Sequence, residues 1–380
     1  MRRTIFEDEH LLFRESVAEF CRRHVEPNLE AWREARVIDR AAWREAGRQD
    51  FLGLAMPPEL GGSGLTDFRF NQVLGEELAA MSVAVNSAFC IHVDVCAPYL
   101  IELATDEQRE RWVPRFCSGE LVTAIGMTEP EAGSDLAGLR TRAVADGDEW
   151  VLNGSKTFIT NGIGADLVIV AARTGEGRKD VSLFGVESGT PGFSRGRKLD
   201  KIGQPEADTG ELFFEDARIP RENLIGELNR GFAHMMALLP QERLSAAIAN
   251  VASATSVLAE TIEYVKDRHA FGRPVGTFQH NRFLVAELET QLDVARAYVD
   301  QCVAAHVAGE LTAVEAAKAK WWTAEVQNRV IDACLQLHGG YGYMNEYRVA
   351  RAWQDARVTK IWAGSNEIMK DLIGRSLGLV

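Results

Sequence analysis

The sequence predicts an α+β chain made of a helical part, a β part and a second helical part, in that order. Three observations predict it. Apolar residues recur at helical spacing before residue 120, short apolar runs bounded by Gly and Asp fill 121–230, and long helical periodicity occupies the rest. With 380 residues, 46% of them hydrophobic, the chain is long enough for two or three domains. The boundaries read as 1–120 for an N-terminal helical domain, 121–230 for a middle β domain and 231–380 for a C-terminal helical domain.

In the first part, Phe6, Leu11, Leu12, Val17 and Phe20 fall near helical spacing. Prolines and glycines break regular structure in the loop 56–64. Thr105-Asp106-Glu107-Gln108 offers a capping side chain and first-turn acids, which is a helix start. In the β part, 150–154 and 156–162 read as two strands joined by a tight turn, and 167–172, 181–186 and 211–214 as further strands. Leu244, Ile248, Val251, Val257, Leu258, Ile262 and Val265 mark one apolar face of a long helix. Pro240 is expected to bend that helix or reset its first turn. Helices over 278–308, 312–338 and 345–375 complete an antiparallel bundle.

The formal net charge of -13 argues against binding a nucleic-acid backbone, which needs clustered Lys and Arg. Cys21, Cys90, Cys96, Cys117, Cys302 and Cys334 show neither C-x-x-C spacing nor a nearby His cluster, so they read as reduced thiols and no metal site is expected. The start mixes Arg2 and Arg3 with Glu7, Asp8 and Glu9 and lacks the apolar core of a secretory signal. No run of about 20 apolar residues is read, so no membrane span is expected. The expected location is the bacterial cytoplasm, with an organelle matrix as the alternative.

Four segments carry chemistry. The turn Gly126-Met127-Thr128-Glu129-Pro130-Glu131-Ala132-Gly133-Ser134-Asp135 exposes backbone N–H groups and hydroxyls suited to a phosphate or the polar edge of a cofactor; a solvated loop would look the same. Phe158-Ile159-Thr160 sits on a strand, with Phe158 and Thr160 on one face. Gln336-Leu337-His338-Gly339-Gly340-Tyr341-Gly342-Tyr343, continued by Glu346, Arg351 and Asp355, has a Gly pair that permits close backbone approach. Glu242 in Leu239-Pro240-Gln241-Glu242-Arg243-Leu244 reads, by residue type alone, as a helix-surface carboxylate after a proline.

The first and third of these segments resemble the signature segments of the acyl-CoA dehydrogenase family at every specified position. The resemblance spans the chain, from the first helix and the 57–64 loop through 156–162 and Arg268-His269-Ala270-Phe271-Gly272-Arg273-Pro274 to Trp362-Ala363-Gly364-Ser365-Asn366-Glu367-Ile368. Residues 239–268 are most similar to the long-chain branch. The resemblance implies an N-terminal helical domain, a middle β-barrel or sandwich and a C-terminal four-helix bundle. It implies FAD as cofactor, and α,β-desaturation of a fatty or branched acyl-CoA to the trans-2-enoyl-CoA. It also implies electrons passed to an electron-transfer flavoprotein, and a homotetramer.

Residue by residue, it implies that Ile125, Met127 and Thr128 line the isoalloxazine. Gly133 lies beside the cofactor, and Ser134 reaches its pyrophosphate or the substrate's thioester arm. Phe158, Ile159 and Thr160 meet the flavin, with Phe158 standing where most members have Trp. Arg268, Phe271 and Gln279 reach a neighbouring subunit's cofactor, Gln336, Gly339 and Gly340 hold its other part, and Ser365 and Glu367 lie against it. Most members carry a Glu directly before Gly-Thr in the last motif, where this chain has Ala363 before Gly364 and Ser365. The long-chain and isovaleryl branches place that Glu on the bent helix, which implies Glu242 as the base. Arg243 then positions the thioester arm or CoA. The Ala363 N–H, with Gly364 beside it, receives the thioester carbonyl together with a flavin ribityl hydroxyl. An acyl-CoA oxidase and a non-catalytic flavin- or CoA-binding subunit are the competing readings, the second motivated by Ala363.

Overall fold

The computed structural model describes residues 3–379; Met1, Arg2 and Val380 lie outside the described residues. Among the described residues, seven α-helices come first: α1 (Asp8–Phe20), α2 (Leu29–Ala35), α3 (Arg40–Arg48), α4 (Arg69–Met81), α5 (Val83–Cys90), α6 (Ala97–Glu102) and α7 (Asp106–Cys117). The start read at Thr105 is present as a reciprocal cap. The Thr105 hydroxyl accepts the Gln108 N–H, and the Gln108 side chain accepts the Thr105 N–H. Phe20, Trp43, Phe51 and Phe89 build the first core, with Trp43 stacked on Phe89 at 4.4 Å.

α5 and α6 are joined by a π-helical stretch, Ile91–Cys96. Val83–Glu102 is, by length and composition, apolar enough to cross a membrane, which corrects the expectation that no such run exists. Its most apolar stretch is 83% buried inside the protein, as a core segment would be.

The middle part is a mixed sheet of β1 (Thr123–Gly126), β2 (Arg142–Asp146), β3 (Glu149–Thr160), β4 (Leu167–Arg173), β5 (Val181–Glu187), β6 (Phe193–Lys198), β7 (Thr209–Pro220) and β8 (Leu224–Ile225). The order is β6-β7-β3-β2-β4-β5-β8, with β1 parallel to β4. The two strands and turn read at 150–162 are one strand, β3. Asn153-Gly154 carries the residue types of a hairpin turn but forms a bulge, with Gly154 at φ +145°. Asn153 locks it by exchanging hydrogen bonds with Asp216 of β7, at 2.9 and 3.0 Å. A Cβ at Gly154 would lie 2.7 Å from the Thr141 Cα, so a side chain has no room there.

The last part holds α8 (Gly231–Asp267), a short strand pair at 269–274, α9 (Gln279–Val307), α10 (Ala313–His338), α11 (Arg348–Ala356) and α12 (Asn366–Ser376). The 37-residue α8 runs through Pro240, which therefore lies inside the helix rather than at its first turn. The single helix read over 345–375 is two helices. Ala363 (φ 51°) and Gly364 (φ 84°) are consecutive left-handed residues, which a right-handed helix does not accommodate. Leu244, Ile248, Val251, Val257 and Leu258 of α8 pack against Leu288, Leu292 and Val299 of α9 and Val326, Val330 and Ile331 of α10.

Candidate active site

α8 carries Glu242 and, next to it, Arg243, which approaches the turn between α11 and α12. Glu242 as a residue is half-buried, but its Oε1 is shut from solvent and no described group bonds it. Burial pushes its carboxyl up to about 8, with the Arg243 charge pulling weakly the other way. Arg243 is 7% exposed and its Nε likewise has no partner. Its Nη2 lies 4.0 Å from where a Gly364 Cβ would stand. A buried, unpaired carboxylate that titrates near neutrality can accept a proton from a weak carbon acid.

The helix around Glu242 is held from both sides. Gln241 Nε2 donates to the Asp94 carbonyl at 2.7 Å, and Gln241 Oε1 meets His306 Nε2 at 3.0 Å. One turn on, Ser245 donates to the Asp94 carboxylate and contacts Cys90 Sγ at 3.0 Å, while Asn71 donates to Asp94 at 2.8 Å. Cys90, Cys96 and Tyr99 lie close enough to Glu242 to feel its charge. The fully buried Tyr99 hydroxyl has no partner among the described residues either. Sequence reading missed Asp94, Tyr99 and Ser245. Only the fold brings the 90–99 segment onto α8.

A second surface forms at the end of β1. Ile125, Met127 and Thr128 are half-buried. The Thr157 N–H donates to the Thr128 carbonyl at 3.0 Å. Lys156 Nζ donates to the Met127 carbonyl at 3.2 Å and pairs with Glu129 at 2.7 Å, with both side chains buried. Burial pulls the Lys156 ammonium down to about 8 against the pull of Glu129. On Glu129, burial raises the pKa, but Lys156 and the Arg140 and Thr141 N–H groups outweigh it and hold the carboxylate low. Both therefore carry charge at neutral pH. A strand lysine facing inward onto Glu129 gave no sequence signal.

Phe158 is 69% exposed at φ 59°, in an irregularity of the β3–β7 register between Lys156 and Ile159. Thr160 is half-buried two positions on. Ile159, read as meeting the cofactor, is 3% exposed and packs its side chain into the sheet core with Ala124 and Leu212. Gly133 and Ser134 are exposed in the segment between β1 and β2.

A third cluster sits at the other end of α8. The Arg268 guanidinium lies 5.4 Å from the Tyr341 ring centroid, and Phe271 is 96% exposed at φ 53°. Gln279, Gln336, Gly339 and Gly340 are also exposed. At about 1.5 Å per residue, Arg268 stands roughly 40 Å along α8 from Glu242. Ser365 instead adjoins the Gly364 turn, capping α12 through the Ile368 N–H at 3.4 Å, with Glu367 exposed in its first turn.

The residues fit a flavin nucleotide. An aromatic ring is held out in a left-handed backbone with most of its area bare, which internal packing does not explain. A Cβ at Gly133 or Gly340 would meet no protein atom within 4 Å, so packing within the chain does not require glycine there.

The descriptions "Acyl-CoA dehydrogenase, N-terminal domain", "middle domain" and "C-terminal domain" match residues 7–120, 124–217 and 229–378. The chain is 45% identical to the mitochondrial long-chain specific acyl-CoA dehydrogenase of Mus musculus over 379 residues, 99% of this chain and 88% of that protein. The crystal structure of an acyl-CoA dehydrogenase from Geobacillus kaustophilus superposes with a TM-score of 0.96 at 43% identity, covering 98% of each chain. A glutaryl-CoA dehydrogenase from Mycobacterium smegmatis, in complex with FADH2, gives a TM-score of 0.92 at 25% identity, covering 98% of this chain and 95% of that one. With all three parts matched in order and nearly the whole of each relative spanned, the chain belongs to the acyl-CoA dehydrogenase family.

Proposed function

We propose that this chain desaturates the α,β bond of a medium- to long-chain or branched acyl-CoA to the trans-2-enoyl-CoA, with Glu242 as the base and an electron-transfer flavoprotein as electron acceptor. The enzyme is an FAD-dependent oxidoreductase acting on a CH–CH bond, as its family is. The single observation that carries the choice of base is the Glu242 carboxyl, whose Oε1 is shut from solvent and unbonded and which burial pushes up to about 8.

In this reading Glu242 takes the α proton as the α–β double bond forms. A positioned general base contributes about 10²–10⁴-fold. Bound FAD supplies the acceptor for the β hydrogen and its electron pair. Ala363 needs only its backbone N–H to receive the thioester carbonyl, and one such donor is worth roughly 2.7–4 kcal/mol. Arg243 and Ser134 orient the thioester arm. Ile125, Met127, Thr128, Gly133, Phe158 and Thr160 hold the flavin with the Ile159 backbone, and Ser365 and Glu367 lie beside it.

Arg268, Phe271, Gln279, Gln336, Gly339 and Gly340 serve the cofactor of another copy. Their distance along α8 from Glu242 and their exposure support an oligomer, which we read as a homotetramer of three-domain chains divided at 120 and 230. The long-chain relative supports the substrate class.

The test is anaerobic mixing of FAD-loaded protein with saturated acyl-CoAs of graded length. Flavin bleaching with some members is expected. Flavin that stays oxidised with every thioester contradicts the reading. Oxygen uptake at turnover speed makes the chain an oxidase instead.

A further inference from the structure

The turn that carries Ala363 and Gly364 is held from behind by a buried lysine. Lys320 lies on α10, on a helix face whose buried Ala316, Ala317, Ala319 and Ala324 let neighbouring backbone come close. The side chain is 0% exposed. Its Nζ donates to the Gly364 carbonyl at 2.6 Å and to Asn366 Oδ1 at 3.2 Å. Asn366 in turn donates to Glu325 at 2.9 Å, and Glu325 pairs with Lys360 at 2.6 Å. Both ends of the 360–366 segment are thereby tied to α10.

The segment needs such ties. Ala363 at φ 51° is a left-handed residue with a side chain, a conformation that L residues with a Cβ rarely adopt. The turn must therefore be held by its surroundings. Met369 of α12 reaches under the same turn, its Cε 2.6 Å from where a Gly364 Cβ would stand. The Lys320 ammonium accepts an unfavourable place to do this. Burial, with the neighbouring Arg243 charge, pulls it down to about 8. An apolar side chain would fill the same volume without burying a charge.

We infer that Lys320 is a positioning residue for the reaction: its bond to the Gly364 carbonyl sets the 363–364 turn so that the Ala363 N–H faces the thioester oxygen, beside Arg243. The inference rests on the proposed desaturase reading. It assigns Lys320 no contact with substrate or cofactor.

The test uses FAD-loaded Lys320→Met and Lys320→Arg, with Glu242→Gln as the control for the underlying reading. For Lys320→Met, kcat is expected to fall about 10- to 100-fold, the scale of an ångström misplacement, with KM changed less than about 3-fold. Lys320→Arg should recover part of kcat. Amide exchange in the peptide spanning 361–369 should quicken in Lys320→Met and not elsewhere, with or without FAD. Unchanged kcat and exchange in Lys320→Met, with Glu242→Gln inactive, overturns this inference alone. An active Glu242→Gln overturns the reading beneath it. Global unfolding of both Lys320 variants makes the residue merely structural and overturns the inference too.

Discussion

In the proposed function the chemistry turns on one carboxyl. Glu242 works as a base only when ionised, and its acid form persists up to about 8 because its surroundings cannot solvate charge. The sign follows directly: kcat/KM, which reports the free enzyme, rises with pH through a limb displaced well above the ordinary carboxylate range. A profile flat from about pH 5.5 to 9 would contradict this role. In the unfolded chain the same group ionises near 4.5, so between 4.5 and about 8 the native state holds a proton the unfolded state has lost. Stability contributed by this group therefore declines as pH rises through that window. The sequence singled out Glu242 as the candidate base through its motif and the Ala at 363. Its protonation was not, because the burial comes from residues 90–99, distant in the chain.

At the scale of elements, β3 and the 127–129 turn are joined by the buried Lys156–Glu129 pair. Glu129→Gln would leave a buried ammonium without its counter-charge, a loss of about 3–5 kcal/mol. The expected result is a lower unfolding midpoint together with weaker FAD retention, since Met127 and Thr128 lose their support. The double variant Glu129→Gln, Lys156→Met should regain much of the stability. Equal stability of Glu129→Gln and the parent would show that the pair does not hold the turn. Periodicity revealed β4 and β5, whose apolar runs are buried on both faces. It misread β3, because Asn153-Gly154 has the composition of a turn and only its pairing with β7 shows that the chain runs straight on.

At the scale of the whole molecule, one loop between β6 and β7 joins all three parts. Gln204, at φ 53°, accepts from Ser87 of α5 at 3.1 Å. Its N–H donates to the Asp355 carboxylate of α11, and its Nε2 to the Asp355 carbonyl at 3.0 Å. Gly203 beside it has the Gln354 carbonyl 2.5 Å from where a Cβ would stand. Gly203→Ala must push this junction apart, at a cost of about 1–3 kcal/mol for overpacking. Thermal unfolding should show a lower or split transition, and an unchanged midpoint would contradict the account of the junction. The helical, β, helical order was legible from changes in apolar period. The junction was not, because Gln204 carries no periodic or compositional mark, and Asp355 stood out only as part of a motif.

The most direct test of the central claim is a single-turnover measurement on Glu242→Gln. FAD-loaded parent and variant are mixed anaerobically with the acyl-CoA that bleaches the parent flavin fastest. The account predicts that the variant binds both FAD and thioester while its flavin stays oxidised, with the bleaching rate down by at least about 10²–10⁴-fold. Bleaching at near the parent rate would mean that another group removes the α proton, and that the buried carboxyl of α8 is not the base.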